Sequence, residues 1–372
     1  MHPEMMWRRP RPLEWWLCSV LMLGVAGGIA WPNHIHLHSG AFGGIVLGVT
    51  ADRENPQVLY AVVFGAGVYK STSGGQVWTG INRGLENPQV LCLVQDTSKP
   101  AVLYVGTDAG VFKTTSGGEE WFPARSGLEE RNIRALAAVP QQPARLFAAT
   151  EAGVYRSDIG GGQWRPARQG LNILDVRAVA TDPTNADRLY AATFGGIYTS
   201  IDGGQTWRPT ADQPVDRQVR TLVIDPRSPN TIYAGTARGG VDRSLDGGAT
   251  WAALNAGLGS LSVMSLTITP MASTTVYAGT VAGLYRLTAA DARWTLLGDG
   301  RILSVTAITV DPRRADGLYV GAGGVVLQTP DGGQTWTDLS RWVLNPTLFG
   351  LAPSGKSAPS SPVMDHSTRE RR

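Results

Sequence analysis

The sequence predicts an all-β protein, and three observations carry that prediction. An eight-residue turn recurs as Ser200-Ile201-Asp202-Gly203-Gly204-Gln205-Thr206-Trp207, Ser244-Leu245-Asp246-Gly247-Gly248-Ala249-Thr250-Trp251 and Thr329-Pro330-Asp331-Gly332-Gly333-Gln334-Thr335-Trp336. A strand close to Leu-Tyr-Ala-Gly-Thr begins at Leu59, Leu103, Leu146, Leu189, Ile232, Val276 and Leu318, at intervals of 44, 43, 43, 43, 44 and 42 residues. Seven of the twelve tryptophans close a copy of the turn, and all ten tyrosines fall on the second or third strand of a repeat. Strand-rich units repeating every 40–45 residues or so are propeller blades. The expected fold is a single seven-bladed β-propeller of four-stranded blades over residues 42–352, preceded by one N-terminal hydrophobic helix.

That helix comes first in the chain. Residues 1–14 carry Arg8, Arg9 and Arg11, and Trp15 to Trp31 is apolar without a charge. Residues 1–31 therefore read as a signal peptide or a membrane anchor. Gly28-Ile29-Ala30 offers small residues for cleavage, whereas Trp15, Trp16 and Trp31 bracket residues 15–31 like an aromatic belt. A span needs roughly 17–25 residues, so this one is at the short limit. Uncleaved, it holds the protein in a membrane; cleaved, it releases a secreted one. Either way the propeller lies outside the cytoplasm.

Residues 32–41 form a linker containing His34, His36 and His38. In an extended chain the three imidazoles share a face, a set that suits Zn²⁺ or Cu²⁺. No cysteine or carboxylate in the stretch completes a site, so a solvated linker is the expectation.

The blades follow. Inner strands start at Val46, Val90, Ile133, Val176, Val219, Val263 and Val305. In blade 4 the inner strand is Val176–Thr181, the second Leu189–Thr193, the third Gly196–Ser200, and the outer one starts from Trp207. Asp-Gly-Gly between two strands is a hairpin signal, because glycine accepts positive φ and a short Asp bonds backbone N–H groups. Looser copies end at Trp78, Trp121, Trp164 and Trp294. Asp is missing from several copies, so Asp202, Asp246 and Asp331, with Trp207, Trp251 and Trp336, read as structural. Asp242 replaces the third-strand aromatic of blade 5 without evident reason. Leu348-Phe349-Gly350-Leu351 resembles the first inner strand and raises an overlap at ring closure, and residues 353–372 read as a disordered tail.

Ser-x-Asp-Gly-Gly-x-Thr-Trp resembles the Asp-box, or BNR repeat, of sialidase-type β-propellers. The same box occurs in sortilin-like receptors, xyloglucan-degrading glycosidases and photosystem II assembly-factor propellers. The resemblance covers about 300 residues. It implies a propeller whose boxes lie opposite its ligand face. It does not choose among hydrolase, receptor and assembly factor, because folds of this kind host unrelated functions.

Composition narrows the field. Charged residues are only 17% and glycines number 46, as suits a turn-rich β protein. The net charge of +3 resides in the two ends, so nucleic acid is not expected as a partner. Cys18 and Cys92 read as neither a disulfide nor a metal pair. There is no GxSxG, Walker loop or HExxH.

One constellation remains. The second residue of the inner strand is Leu47, Leu91, Arg134, Arg177, Arg220, Met264 and Thr306, so three consecutive blades place arginine at one structural position. Arg131, Arg217 and Arg301 stand close by in sequence. Guanidinium forks bind carboxylates and phosphates, and sialidases hold a sugar carboxylate with three arginines. Asp108, Glu151, Asp175 and Asp216 are candidate acids on the same face. The arginines are either structural, paired with Asp175, Asp216 and Glu130, or a docking patch, or an anion clamp for hydrolysis. The leading expectation is a non-enzymatic, extracytoplasmic platform binding a protein or anionic ligand, without a cofactor. The alternatives are a sialidase-like glycoside hydrolase and a structural or adhesive surface protein.

Overall fold

The computed structural model describes residues 42–340 and 343–344, apart from 215, 270–273, 292 and 315, all within one compact unit. They form seven sheets, each built on four antiparallel strands from one contiguous stretch in the order inner, second, third, outer, and the first sheet carries one further, parallel strand. The protein is a seven-bladed β-propeller. Blade 4 runs Val176–Thr181, Leu189–Thr193, Gly196–Ser200 and Arg208–Pro209. Blade 3 departs from expectation, its inner strand starting at Ala135 and its second extending back to Gln142.

Second strands such as Leu189–Thr193 are buried along their whole length, because both faces of a blade pack on neighbours. Outer strands, exposed to water, are cut to two or three residues, which leaves little edge for foreign pairing.

The core between blades repeats as a trio: a third-strand ring, the box tryptophan, and a leucine from the preceding linker. Tyr155, Trp164 and Leu128 form it in blade 3, and Tyr198, Trp207 and Leu171 in blade 4. In blade 1 Phe42 supplies the third member, edge-on to Tyr69 at 5.1 Å and to Trp78 at 5.5 Å. Four of these indoles also donate to a carbonyl of the preceding blade: Trp121 to Ile81 at 2.7 Å, Trp164 to Ala124 at 2.8 Å, Trp207 to Ala167 at 2.8 Å and Trp294 to Leu254 at 2.6 Å. Trp336 donates within its own box, to Gly333 O at 3.0 Å.

The ring closes by the same device. Trp78 Nε1 donates to Leu339 O at 2.9 Å, Val46 N to Gly323 O at 2.7 Å, and Val343-Leu344 runs parallel to Trp78-Thr79. Val343–Leu344, which follows blade 7, thus adds a fifth strand to the outer edge of blade 1. The hydrophobic helix and span of residues 15–31, His34, His36 and His38, Leu348–Leu351 and the tail lie outside the described residues. Among the described residues no helix is long and apolar enough to cross a membrane.

The box turns work as expected from their composition. Asp202 accepts Ser200 Oγ at 2.7 Å and Thr206 N at 2.9 Å, while Gly204 N donates to Ser200 Oγ at 2.9 Å. A further bond was not visible in the sequence. A third-strand cation reaches the next blade's box: Lys70 to Gly117 O at 2.9 Å, Lys113 to Gly160 O at 3.3 Å and Arg156 to Gly203 O at 2.6 Å. The boxes thus latch blade to blade.

Candidate functional site

The arginine position has a geometric cause. In six blades the register slips between the first and third residues of the inner strand, so the second residue sits in a β-bulge. A bulge re-aims a side chain away from the ladder. Leu47, Leu91, Arg177, Arg220, Met264 and Thr306 are these bulge residues. Arg134 stands just ahead of its strand, with its N–H on Ala149 O at 3.0 Å.

The three arginines have different surroundings. Arg134 is pinned between two carboxylates, Asp175 of the next blade and Glu151 of its own second hairpin. Arg177 shares Asp175, with Nη2 donating to Oδ2 at 3.0 Å, and its guanidinium lies 5.5 Å from the centre of the Phe194 ring. Arg220 Nη1 donates to Ser262 Oγ at 3.1 Å. Asp175 and Ser262 each precede the inner strand of a following blade, so Arg134 ties blade 3 to blade 4 and Arg220 ties blade 5 to blade 6. Burial, and after it the like charge of Arg177, lowers the Arg220 pKa to about 10, with Asp216 acting in the opposite sense. Arg220 stays protonated at neutral pH, held beside a second cation.

The two other expected counter-ions are engaged elsewhere. Glu130 Oε1 accepts the N–H groups of Arg131 and Asn132, each at 2.9 Å. Asp216 accepts Gln218 N at 3.1 Å and Arg238 N at 2.7 Å. Both brace loops. Arg131, Arg217 and Arg301 are exposed. Asp108 has its pKa raised, chiefly by burial. Among the described residues no group of three or more His, Cys, Asp or Glu is arranged to hold a metal.

Sequence reasoning missed the apolar part of this face. Phe194 is 46% exposed, and Ile173, Leu174, Leu261 and Leu303 on the linkers are also solvent-accessible. The available signal was a large aromatic in the second hairpin of blade 4, where blades 2 and 3 carry Asp108 and Glu151.

No protein-family model matches the chain, and no curated protein matches it significantly. Solved structures do share the fold. A GH74 xyloglucanase from Xanthomonas campestris superposes with a TM-score of 0.65 at 17% identity, over 81% of this chain and 55% of that one. YCF48 bound to D1 peptide gives 0.58 at 17% identity, over 77% of this chain and 93% of that one. The extracellular domain of a putative one-component system from B. thetaiotaomicron gives 0.61 at 13%, over 79% of this chain and 41% of that one. The chain thus spans about half the length of the xyloglucanase and less of the sensor. These likenesses show the architecture, which enzymes, sensors and a peptide-binding protein share.

Proposed function

We propose that this propeller is an extracytoplasmic interaction platform whose loop face binds an anionic segment of a partner protein. The observation that carries the reading is the placing of Arg177 and Arg220 at the same bulged position of adjacent blades, beside exposed Phe194, Ile173 and Leu174. Two cations held together on a partly apolar face are electrostatically matched to a carboxylate with greasy neighbours. Arg134 is the scaffold of the patch, since its charge is met by Asp175 and Glu151. YCF48 carries a bound D1 peptide, so a propeller of comparable size can hold a peptide. Export rests on Arg8, Arg9 and Arg11 ahead of residues 15–31, and the reading makes 42–352 one propeller domain.

Hydrolysis is less well supported. Glycosidases place two carboxyl groups across the scissile bond. Here Asp175 and Glu151 are tied to Arg134, and Asp216 to backbone N–H groups.

The test is affinity capture from the host's solubilised membranes with wild type and an Arg177→Ala/Arg220→Ala variant of confirmed fold. The expected result is a defined partner that the variant loses. Identical capture by both proteins, or a glycan product released by wild type alone, overturns the docking reading.

A further inference from the structure

One seam of the ring breaks the rules kept by its neighbours. Between blades 4 and 5 the trio of ring, indole and linker leucine is incomplete. The third-strand position held by Tyr69, Phe112, Tyr155, Tyr198 and Tyr285 carries Asp242. The linker has Thr210-Ala211-Asp212-Gln213-Pro214 where four others have Gly-Leu, at 84–85, 127–128, 170–171 and 257–258; the blade 6–blade 7 linker also lacks that pair, reading Gly298-Asp299-Gly300-Arg301. The indole bond is also gone: Trp251 Nε1 is buried with no partner. Thr210 O, the equivalent of the acceptors elsewhere, is taken by Gln213 Nε2 at 3.2 Å. Trp251 N donates to the Asp212 carboxylate at 3.2 Å instead of to a linker carbonyl.

Asp242 is the centre of the defect. It is 1% exposed, and its Oδ2 accepts no hydrogen bond. Cross-strand pairing with Ala253 puts it on the same sheet face as Trp251, toward the apolar core shared with Tyr190, Ala192 and Ile197 of blade 4. A charged carboxylate in such a place destabilises the packing that encloses it; a neutral carboxyl costs far less.

We infer that the blade 4–blade 5 seam is an acid-tightened joint, closed when Asp242 is neutral and loosened when it is ionised. Charged groups on the elements around it are Arg243 on its own strand, Asp212, Asp216 and Arg217 on the linker, Arg238 on the second hairpin of blade 5, Arg220 on its inner strand and Arg177 on the inner strand of blade 4. The blade 4 residues of the shared core, Tyr190, Ala192 and Ile197, carry no charge near neutral pH. Burial, then the charge of Asp216, raises the Asp242 pKa to about 6. Because the folded value lies above the unfolded one, the stabilisation is complete below about pH 4 and is lost as pH rises through 6. The joint separates Arg177 from Arg220, so its state also sets their spacing. The inference stands on the seam itself and not on the identity of any partner.

The test is hydrogen exchange by mass spectrometry at pH 5 and pH 7.5, corrected for intrinsic rates, on wild type, Asp242→Asn and Asp242→Tyr. Peptides spanning 210–218 and 237–254 in wild type are expected to be less protected at pH 7.5 than at pH 5. The matching peptides of the blade 3–blade 4 seam, 167–175 and 194–211, should not respond. Asp242→Asn should abolish the pH response, and Asp242→Tyr should restore protection at both pH values. An unchanged pH response in Asp242→Asn, or equal protection of both seams in wild type at pH 7.5, overturns the inference. The Asn variant decides it even where the Tyr variant does not fold.

Discussion

On the box side of the ring, one hydrogen bond is made six times over. The hydroxyl ending the third strand accepts the N–H of the second box glycine in Ser71–Gly75, Thr114–Gly118, Ser157–Gly161, Ser200–Gly204, Ser244–Gly248 and Thr329–Gly333. On the loop side, one bulged position carries Leu47, Leu91, Arg177, Arg220, Met264 and Thr306. The box face repeats because each turn must brace the next blade. The loop face varies because the bulge residue leaves the ladder and owes the sheet nothing. Repetition therefore marks support, and its interruption marks the place to look for use.

The largest effect that can break this contrast is removal of a box indole. Trp164→Ala deletes a fully packed ring and its bond to Ala124 O, and is expected to cost about 3–5 kcal/mol in chemical denaturation. Arg177→Ala should shift the same transition by no more than about 1 kcal/mol while abolishing partner capture. A robust Trp164→Ala protein, or an unfolded Arg177→Ala protein, would reverse the assignment of roles.

The next effect compares two glycines. Gly84 has φ +86° on a linker, and a Cβ there would lie 2.1 Å from Trp121 O. Gly65 has φ +80° in the second hairpin of blade 1, with nothing within 4 Å of its Cβ position. Both alanine variants carry backbone strain of about 1–2 kcal/mol, but only Gly84→Ala adds a backbone clash. Its thermal midpoint should fall well below that of Gly65→Ala, and equal midpoints would mean that the seam yields more easily than its geometry suggests.

The smallest effect is the acid response of the boxes. The hydroxyls of Thr250 and Thr335, with neighbouring N–H groups, hold Asp246 and Asp331 at about 2. Their folded values lie below the unfolded one, so this contribution is present above about pH 4 and is lost as pH falls toward 2. Asp246→Ser/Asp331→Ser, imitating Ser73 and Ser116 of blades 1 and 2, should flatten that part of the melting-temperature profile. A profile unchanged in the double variant would show that these exposed carboxylates contribute nothing to the ring.

Blade number, strand order and the place of the tryptophans were legible because each is written seven times at a fixed period. Asp202, Asp246 and Asp331 were legible as turn groups because other copies manage without them. The latch from Lys70, Lys113 and Arg156 was not, since it joins residues 47 apart and blade 4 uses the Tyr190 hydroxyl on Gly247 O instead. The arginine position could be read from alignment of the repeats, but not the bulge behind it. Nor could the sequence tell that Asp175 would serve two arginines at once. Phe194 escaped notice because its hairpin position, filled by Asp108 and Glu151 in blades 2 and 3, repeats in place but not in residue type.

Ring closure has a consequence for how the gene can be cut. Phe42 stands in for a linker leucine, and the bond from the Trp78 indole to Leu339 O reproduces the one that Trp121, Trp164, Trp207 and Trp294 make where the chain is continuous. The break between blades 7 and 1 is thus topologically silent. Circular permutants that join this break with a short peptide and open the 81–90 or 124–133 linker instead should assemble the same ring. Duplication or loss of a whole blade would alter its curvature and not its wiring.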